Sequence, residues 1–336
     1  MLKEKWVEFK TTNPKIRIRD AAKELQTTEA EILAAYAGSS VLALRDDFQE
    51  LVEQMPALGR VMVLTRNESC VHERKGVFEP LVRHGRAMGV VVGADIDLRL
   101  FFRNWAFAFA VMADDAAGFK DSIQVFDFQG TAVMKVFLTE DSDKDAFETL
   151  VRDFAVPVQP VGLDILPTPA VQVYKDGEVD VEAFRADWAR LKDTHDFFPM
   201  LMKHQVSRLH ALKIAGEFAR RVDNSTVVQL LERASEDGWE IMVFVANHGN
   251  IQIHTGPVKR ILAIPGWINV MDADFNLHLR LDHIAETWMV RKPTVDGDVH
   301  SLEVFDAAGE LIVQFFGKRK PGQPEGLFWR DWIRNL

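Results

Sequence analysis

The sequence predicts an α+β fold built by internal duplication: two similar halves, each a large antiparallel β-sheet flanked by helices. Two observations carry this reading. Short runs rich in β-branched and aromatic residues follow one another through polar turns, a meander that pairs strands antiparallel. The same runs then return half a chain later. Val61-Met-Val-Leu-Thr-Arg-Asn67 matches Ile241-Met-Val-Phe-Val-Ala-Asn247 at a shift of 180 (247 − 67). Ala94-Asp-Ile-Asp-Leu-Arg-Leu100 matches Ala273-Asp-Phe-Asn-Leu-His-Leu279 at 179 (273 − 94). Ser122-Ile-Gln-Val-Phe-Asp127 matches Ser301-Leu-Glu-Val-Phe-Asp306, also at 179 (301 − 122). A period this long marks a duplicated domain, since solenoid repeats run to roughly 20–50 residues.

Taken in order, residues 2–12 predict a short helix with Trp6 and Phe9 on one side, stopped by Asn13-Pro14. Residues 17–25 and 29–37 predict two more. The second is opened by the Thr28-x-x-Glu31 capping box and closed by Gly38. Their tight turn has the outline of a helix-turn-helix, an outline that simple packing hairpins share. A helix over 48–55 follows. From Arg60 the apolar period shortens to two, predicting strands at 61–64, 87–92, 96–102, 105–112, 123–128 and 132–138. Asp127-Phe-Gln-Gly130 is the turn between the last two. Residues 143–154 read as a helix, and the proline-rich stretch from Val156 to Pro169 as an extended linker. The expected division is an N-terminal repeat over 1–155, a linker over 156–175 and a C-terminal repeat over 176–336.

The second half follows the same plan. Helices are expected at 182–191, 226–235 and 325–335, and strands at 240–246, 250–255, 261–264, 269–272, 275–281, 285–290, 301–305 and 311–316. Pro199 clashes with the carbonyl of His195 in any straight helix through both, so a new helix starts near Thr194 or the helix kinks there.

Composition narrows the function. The 336 residues are 47% hydrophobic with a formal net charge of -10, so a broad basic surface for nucleic acid is not expected. Cys70 is the only cysteine, which excludes an internal disulfide and a cysteine metal cage. No secretory h-region opens the chain, and no apolar run approaches membrane-spanning length, so a cytoplasmic protein without membrane insertion is expected. Phosphate loops, dinucleotide fingerprints, nucleophile elbows and zinc-protease motifs are absent.

The residues that suggest chemistry lie in the stretch from Lys192 to Leu212. His195 sits among Phe197, Phe198, Met200, Leu201 and Met202, with Arg208 following. An imidazole in soft apolar surroundings with a guanidinium nearby suits a large flat ring that carries iron and acidic edges. A satisfied core histidine fits the same stretch. The repeat register weighs against the core reading: Arg17 stands opposite His195, so the unit does not need an imidazole there. In the first half, alternation puts Asp97, Arg99 and Phe101 on one strand face. His72, in Cys70-Val-His-Glu-Arg-Lys-Gly76, reads as a surface-turn histidine.

Several further stretches complete a pattern: Arg19-Asp-Ala-Ala22, Arg66-Asn-Glu68, Val71-His-Glu73, Asp97-Leu-Arg-Leu-Phe101 with Trp105, Asp193-Thr-His-Asp-Phe-Phe198, Glu240-Ile-Met-Val-Phe-Val245, Ile251-Gln-Ile253 with Thr255-Gly256, and Arg291-Lys-Pro-Thr294. Together they resemble the cytoplasmic hemin-degrading and hemin-transport family of bacterial haem uptake, the HemS/ChuS/HmuS type, over essentially the whole chain. The resemblance implies haem b (hemin) bound in a cleft of the C-terminal half that faces the N-terminal half. It implies His195 as the axial ligand of the iron and Arg99 as the distal arginine, with these two as the catalytic pair. It implies Arg208, Lys292 and Arg319 near the propionates, and Phe101, Phe244, Gln314 and Phe316 lining the pocket. Phe316 departs from the tyrosine common in the family, which removes a hydroxyl contact. His72 resembles a secondary-site histidine. The implied activity is oxidative haem degradation that releases iron, using O2 and an electron donor. The alternative is a non-enzymatic chaperone that hands haem from the cytoplasmic side of an importer to a separate haem oxygenase. A monomer or homodimer is expected, with nucleic acid not a partner.

Overall fold

The computed structural model describes residues 1–168, 179–319 and 322–336. They form a mixed α/β structure with two large antiparallel sheets and flanking helices. The first repeat carries helices α1 (Leu2–Thr12), α2 (Ile18–Glu24) and α3 (Glu29–Ala34), strand β1 (Val41–Leu44) and helix α4 (Phe48–Gln54). Strands β2 (Gly59–Arg66), β3 (Cys70–Val77), β4 (Val82–His84), β5 (Met88–Val92), β6 (Asp97–Leu100), β7 (Phe107–Val111), β8 (Ser122–Phe126) and β9 (Ala132–Ser142) follow, then helix α5 (Lys144–Phe154). The second repeat carries α6 (Val181–Ala189), a 3-10 turn at Thr194–Asp196, α7 (Phe197–His204), α8 (Arg208–Ile214), β10 (Ala219–Val222) and α9 (Thr226–Glu236). After these come β11 (Glu240–Ala246), β12 (Asn250–Pro257), β13 (Ile261–Ile264), β14 (Trp267–Met271), β15 (Phe275–Arg280), β16 (Glu286–Lys292), β17 (Val299–Phe305), β18 (Leu311–Gly317) and α10 (Leu327–Arg334).

The chain divides into two compact units. One comprises Met1–Arg66, residues 72–168 and Ala246–Gln252; the other comprises Asn67–Val71, residues 179–245 and Ile253–Leu336. These units depart from a contiguous division at the tips of two hairpins. Within the first unit, Asn247 donates to the Val133 carbonyl at 2.8 Å while its Oδ1 accepts from the Gly249 and Asn250 amides. A Cβ on Gly249 would lie 2.6 Å from Val133 Cγ1, so only glycine fits. Within the second unit, Asn67 repeats the arrangement: it donates to Ile312 O at 2.8 Å and accepts from Ser69 and Cys70. The Pro-rich segment is bound to the first unit as far as Leu166, through Gln159 to the Ala43 backbone and Leu166 N–H to Phe128 O. Positions 169–175 of the expected linker lie outside the described residues.

Local chemistry explains the element ends. Thr28 and Glu31 cap α3 reciprocally, each side chain accepting from the other's amide. Asp143, Asp180 and Ser207 cap α5, α6 and α8 in the same sense. The turn at Asp127, where one carboxylate oxygen accepts two amides and Gly130 takes φ +71°, recurs at Asp306 with Gly309 at φ +83°.

In the second unit the strand order β10-β16-β17-β18-β11-β12 gives a sheet with two different faces. Ile241, Val243, Leu302, Val304, Val313 and Phe315 pack under α9 and α10. Trp288, Val290 and Phe305 face the other way and pack against α6, α7 and α8 through Phe184, Trp188, Phe197 and Met200. Beyond those helices the same face continues into Met242, Phe244, Gln314 and Phe316, which are only half-buried.

Candidate functional site

The stretch around His195 folds as a break rather than a continuous helix. α6 ends at Ala189, the 3-10 turn Thr194–Asp196 follows, and α7 starts at Phe197, so Pro199 falls in the first turn of a new helix, where its missing N–H costs nothing. The turn is capped by Asp193, whose Oδ1 accepts the His195 amide at 2.8 Å. The same oxygen lies 2.5 Å from His195 Nδ1. Those bonds, with the backbone one the stronger, hold the Asp193 carboxyl below the usual range, and the Arg319 charge adds to the effect.

The apolar stretch around His195 does not enclose it: Phe197, Met200 and Leu201 turn into the core, Phe198 and Met202 are exposed, and the His195 side chain is 90% exposed. On a short turn ahead of the helix, the ring leaves the helix's apolar stripe. Its Nδ1 is engaged, and its Nε2 points away from that bond without a partner among the described residues.

Arg208, Lys292 and Gln314 do come together, around a residue the sequence reading passed over. Glu303 is fully buried on β17. Arg208 meets it two-pronged, Nε to Oε2 at 2.7 Å and Nη2 to Oε1 at 2.8 Å. Lys292 Nζ donates at 2.9 Å, Gln314 Nε2 at 2.9 Å and Ser301 Oγ at 3.1 Å, all to Oε1. Strand register places them: Gln314 is cross-strand from Glu303, and Ser301 and Lys292 lie on the same face. Burial pushes the Glu303 carboxyl upward, but the Arg208 and Lys292 charges together hold it well below the ordinary value. Burial lowers Lys292 to about 8 against the pull of Glu303. Both cations also sit over the Phe197 ring, Lys292 at 4.4 Å and Arg208 at 5.1 Å from its centroid. A charged residue set between Leu302 and Val304 in a predicted strand was the available signal for Glu303, and the structure buries that strand at every position.

Phe244 is cross-strand from Gln314, and its ring lies 5.0 Å from that of Phe316. The two rings and Gln314 line the half-buried part of the sheet face. Arg319, just past β18, has its Nη1 buried with no partner among the described residues. A buried guanidinium nitrogen left unbonded is costly, and a ligand carboxylate would satisfy it.

Arg99 and Phe101 belong to the first unit. Arg99 donates to the Asp97 carboxylate and to Leu98 O. Burial outweighs that guanidinium and raises the Asp97 carboxyl. Phe101 is not on the strand face expected for it: β6 ends at Leu100, and Phe101 opens a 3-10 turn, held by its N–H to Gly249 O at 3.0 Å. His72 is not on a surface turn either. It is fully buried on β3, because Cys70–Val77 forms a strand on which Cys70, His72 and Gly76 point inward.

The model of the family termed haemin-degrading HemS.ChuX domain matches residues 26–154 and 205–336, one match in each repeat. The chain belongs to this family. It is 39% identical to the hemin transport protein HemS of Yersinia enterocolitica over 334 residues, 99% of this chain and 96% of the relative. Holo-PhuS, a heme-binding protein from Pseudomonas aeruginosa, superposes with a TM-score of 0.97 at 47% identity, covering 100% of this chain and 98% of its own. ChuS, an E. coli heme oxygenase, superposes with a TM-score of 0.89 at 34% identity, covering 100% of this chain and 99% of its own. Family membership agrees with the twofold fold, and no helix among the described residues is long and apolar enough to cross a membrane.

Proposed function

We propose that this protein binds haem on the second unit and serves bacterial haem uptake in the cytoplasm, degrading haem oxidatively to release iron. The observation that carries the reading is the Asp193–His195 pair. A carboxylate on Nδ1 fixes the tautomer and raises the basicity of Nε2, the arrangement seen around metal-bound histidines. The surrounding residues fit haem as cargo. Phe244 and Phe316 offer an apolar face for the ring, while Arg208, Lys292 and Arg319 offer cations for the propionates. Gln314 is held by Glu303 at the edge of that face. Arg99, with Phe101, is the residue we assign to the chemistry at iron, with O2 and an electron donor as co-substrates. His72 is the secondary candidate; its complete burial means a ligand could reach it only if β3 opens.

A second reading has its own support. A ligand histidine exposed at 90% suits a carrier that passes haem on to a separate oxygenase. Titrating the apo-protein with hemin, then adding reductant in air with catalase present, separates the two. A Soret band that decays to a defined tetrapyrrole product supports degradation. A band that persists, but is lost to apomyoglobin, supports the carrier. No band at all ends the haem reading.

A further inference from the structure

We infer that the second unit carries a binding site for a phosphate-type oxyanion on the sheet face opposite the candidate haem face. The site is a hollow of about 480 Å³ at β10, β16 and β17. Cross-strand register builds it. Arg220 on β10 is paired with Met289 on β16, and Arg291 on β16 with His300 on β17. All four side chains line one hollow, joined by Arg334 from the end of α10. Alternation along β16 sends Met289 and Arg291 to this side and Trp288, Val290 and Lys292 to the other, so the two sites share a strand but no side chain.

The floor is polar and built. His300 is 1% exposed, and its Nδ1 lies 2.5 Å from the equally buried carboxylate of Glu325. The other Glu325 oxygen accepts the His300 amide at 2.8 Å. The ring's second nitrogen, Nε2, has no protein partner among the described residues, and His300 lines the hollow. Arg291 is held by Glu217 at 2.9 Å and Asp298 at 3.5 Å, and Arg334 reaches Asp298 only at 3.6 Å. Arg220, which also lines the hollow, has no ion pair among the described residues. Three guanidiniums face two carboxylates around the rim, and Arg330 lies 3.6 Å from the Glu325 carboxylate beneath it, so one cation remains in excess for a guest. Planar guanidinium forks suit phosphate oxygens, and Nε2 adds a further contact.

Anchoring α10 explains the His300–Glu325 pair, together with Trp329 Nε1 bonded to His300 O at 3.0 Å. It does not explain the arginines. The first repeat supplies the comparison: at the same register it has Leu42 paired with Ala110, then Met112 and Asp121, where the second has Arg220, Met289, Arg291 and His300. The fold of the first repeat therefore closes without these cations, and the second repeat carries them. The volume exceeds what a bare phosphate fills and lies in the range of small-molecule sites. A phosphomonoester and free phosphate share the chemistry.

The test is calorimetric titration of the full-length protein with inorganic phosphate and, separately, with glycerol 3-phosphate. Arg220→Ala and Arg334→Ala are both surface changes, and His300→Asn probes the floor. Hemin titration of each variant checks that the fold and the opposite face are intact. The expected result is saturable binding of at least one probe, weakened at least fivefold by each arginine variant, with hemin binding retained. Tighter binding of the ester assigns the site to phosphorylated small molecules; binding of phosphate alone assigns it to the free ion. No binding of either probe at 10 mM (about a 100-fold weaker limit than a 0.1 mM site), or wild-type affinity in both arginine variants, overturns the proposal. Should His300→Asn fail to fold, the arginine pair decides.

Discussion

Arg208 and Glu303 face each other fork to fork, with Nε–Oε2 at 2.7 Å and Nη2–Oε1 at 2.8 Å, across the gap between α8 and the middle of β17. The pair does two things. It neutralises a carboxylate that burial would otherwise make very costly, and it sets the guanidinium beside Phe197, just past the His195 turn. Lys292 completes the cluster, leaving one net positive charge near the candidate haem face. The arginine that sequence reading assigned to ligand binding is thus also a structural cation, and its counter-ion lies on a strand 95 residues away.

Glu303→Gln should therefore be severe. It leaves Arg208 and a buried Lys292 without their anion. Breaking a buried pair by removing one partner costs about 3–5 kcal/mol. Urea unfolding measures it; a loss under about 1 kcal/mol would mean that the cluster is not the anchor described.

Lys292 gives a pH prediction. Its folded value of about 8 lies below the ordinary 10.5, so between those values the unfolded chain holds more protons than the folded one. Stability contributed at this position therefore rises as pH climbs from 8 toward 10.5. Glu303 has the same sign in a different window: its depressed carboxyl stabilises the fold above about 4.5, and that contribution is lost as pH falls. Lys292→Met should flatten the alkaline limb while leaving the acid limb in place. An alkaline limb identical to wild type refutes the assignment.

Removing the imidazole tests the centre of the functional reading. His195→Ala should abolish the histidine-ligated hemin spectrum. Asp193→Asn should keep that spectrum but weaken hemin binding by about 10-fold, the usual range for a carboxylate behind a metal-bound histidine. Stability should hardly change in His195→Ala, because the ring is exposed. Wild-type spectra in His195→Ala would sink the ligand assignment.

Arg99→Ala separates binding from chemistry. Hemin affinity should stay within about threefold of wild type, a shift of under 1 kcal/mol. The ferric spectrum and its pH dependence should change, and turnover with reductant and air should fall. An unchanged spectrum across pH together with unchanged turnover counts against any role at iron.

Much of the fold was legible in the sequence. The duplication stood in the chain because Asn67 and Asn247, or Asp127 and Asp306, do the same local work, and local work leaves local residues. Strand periodicity and caps were legible for the same reason. β3 was missed because Cys70-Val-His-Glu-Arg-Lys-Gly76 carries four polar side chains, and polar residues in sequence read as a turn. Only neighbouring strands made that segment, and His72 with it, part of the interior.

The sequence by itself determined the duplicated fold and marked the candidate residues: an imidazole in an apolar stretch with a guanidinium following, cations at strand ends, and an arginine on an alternating strand. Only the tertiary structure decided how they are used. His195 left the apolar stripe because a turn, not a helix, holds it, and Arg208 and Lys292 acquired a buried counter-ion because β17 brings Glu303 between them. The physical reason is range. Hydrogen bonds that shape a turn act within a few residues, whereas burial and charge pairing depend on which distant strands the fold makes neighbours.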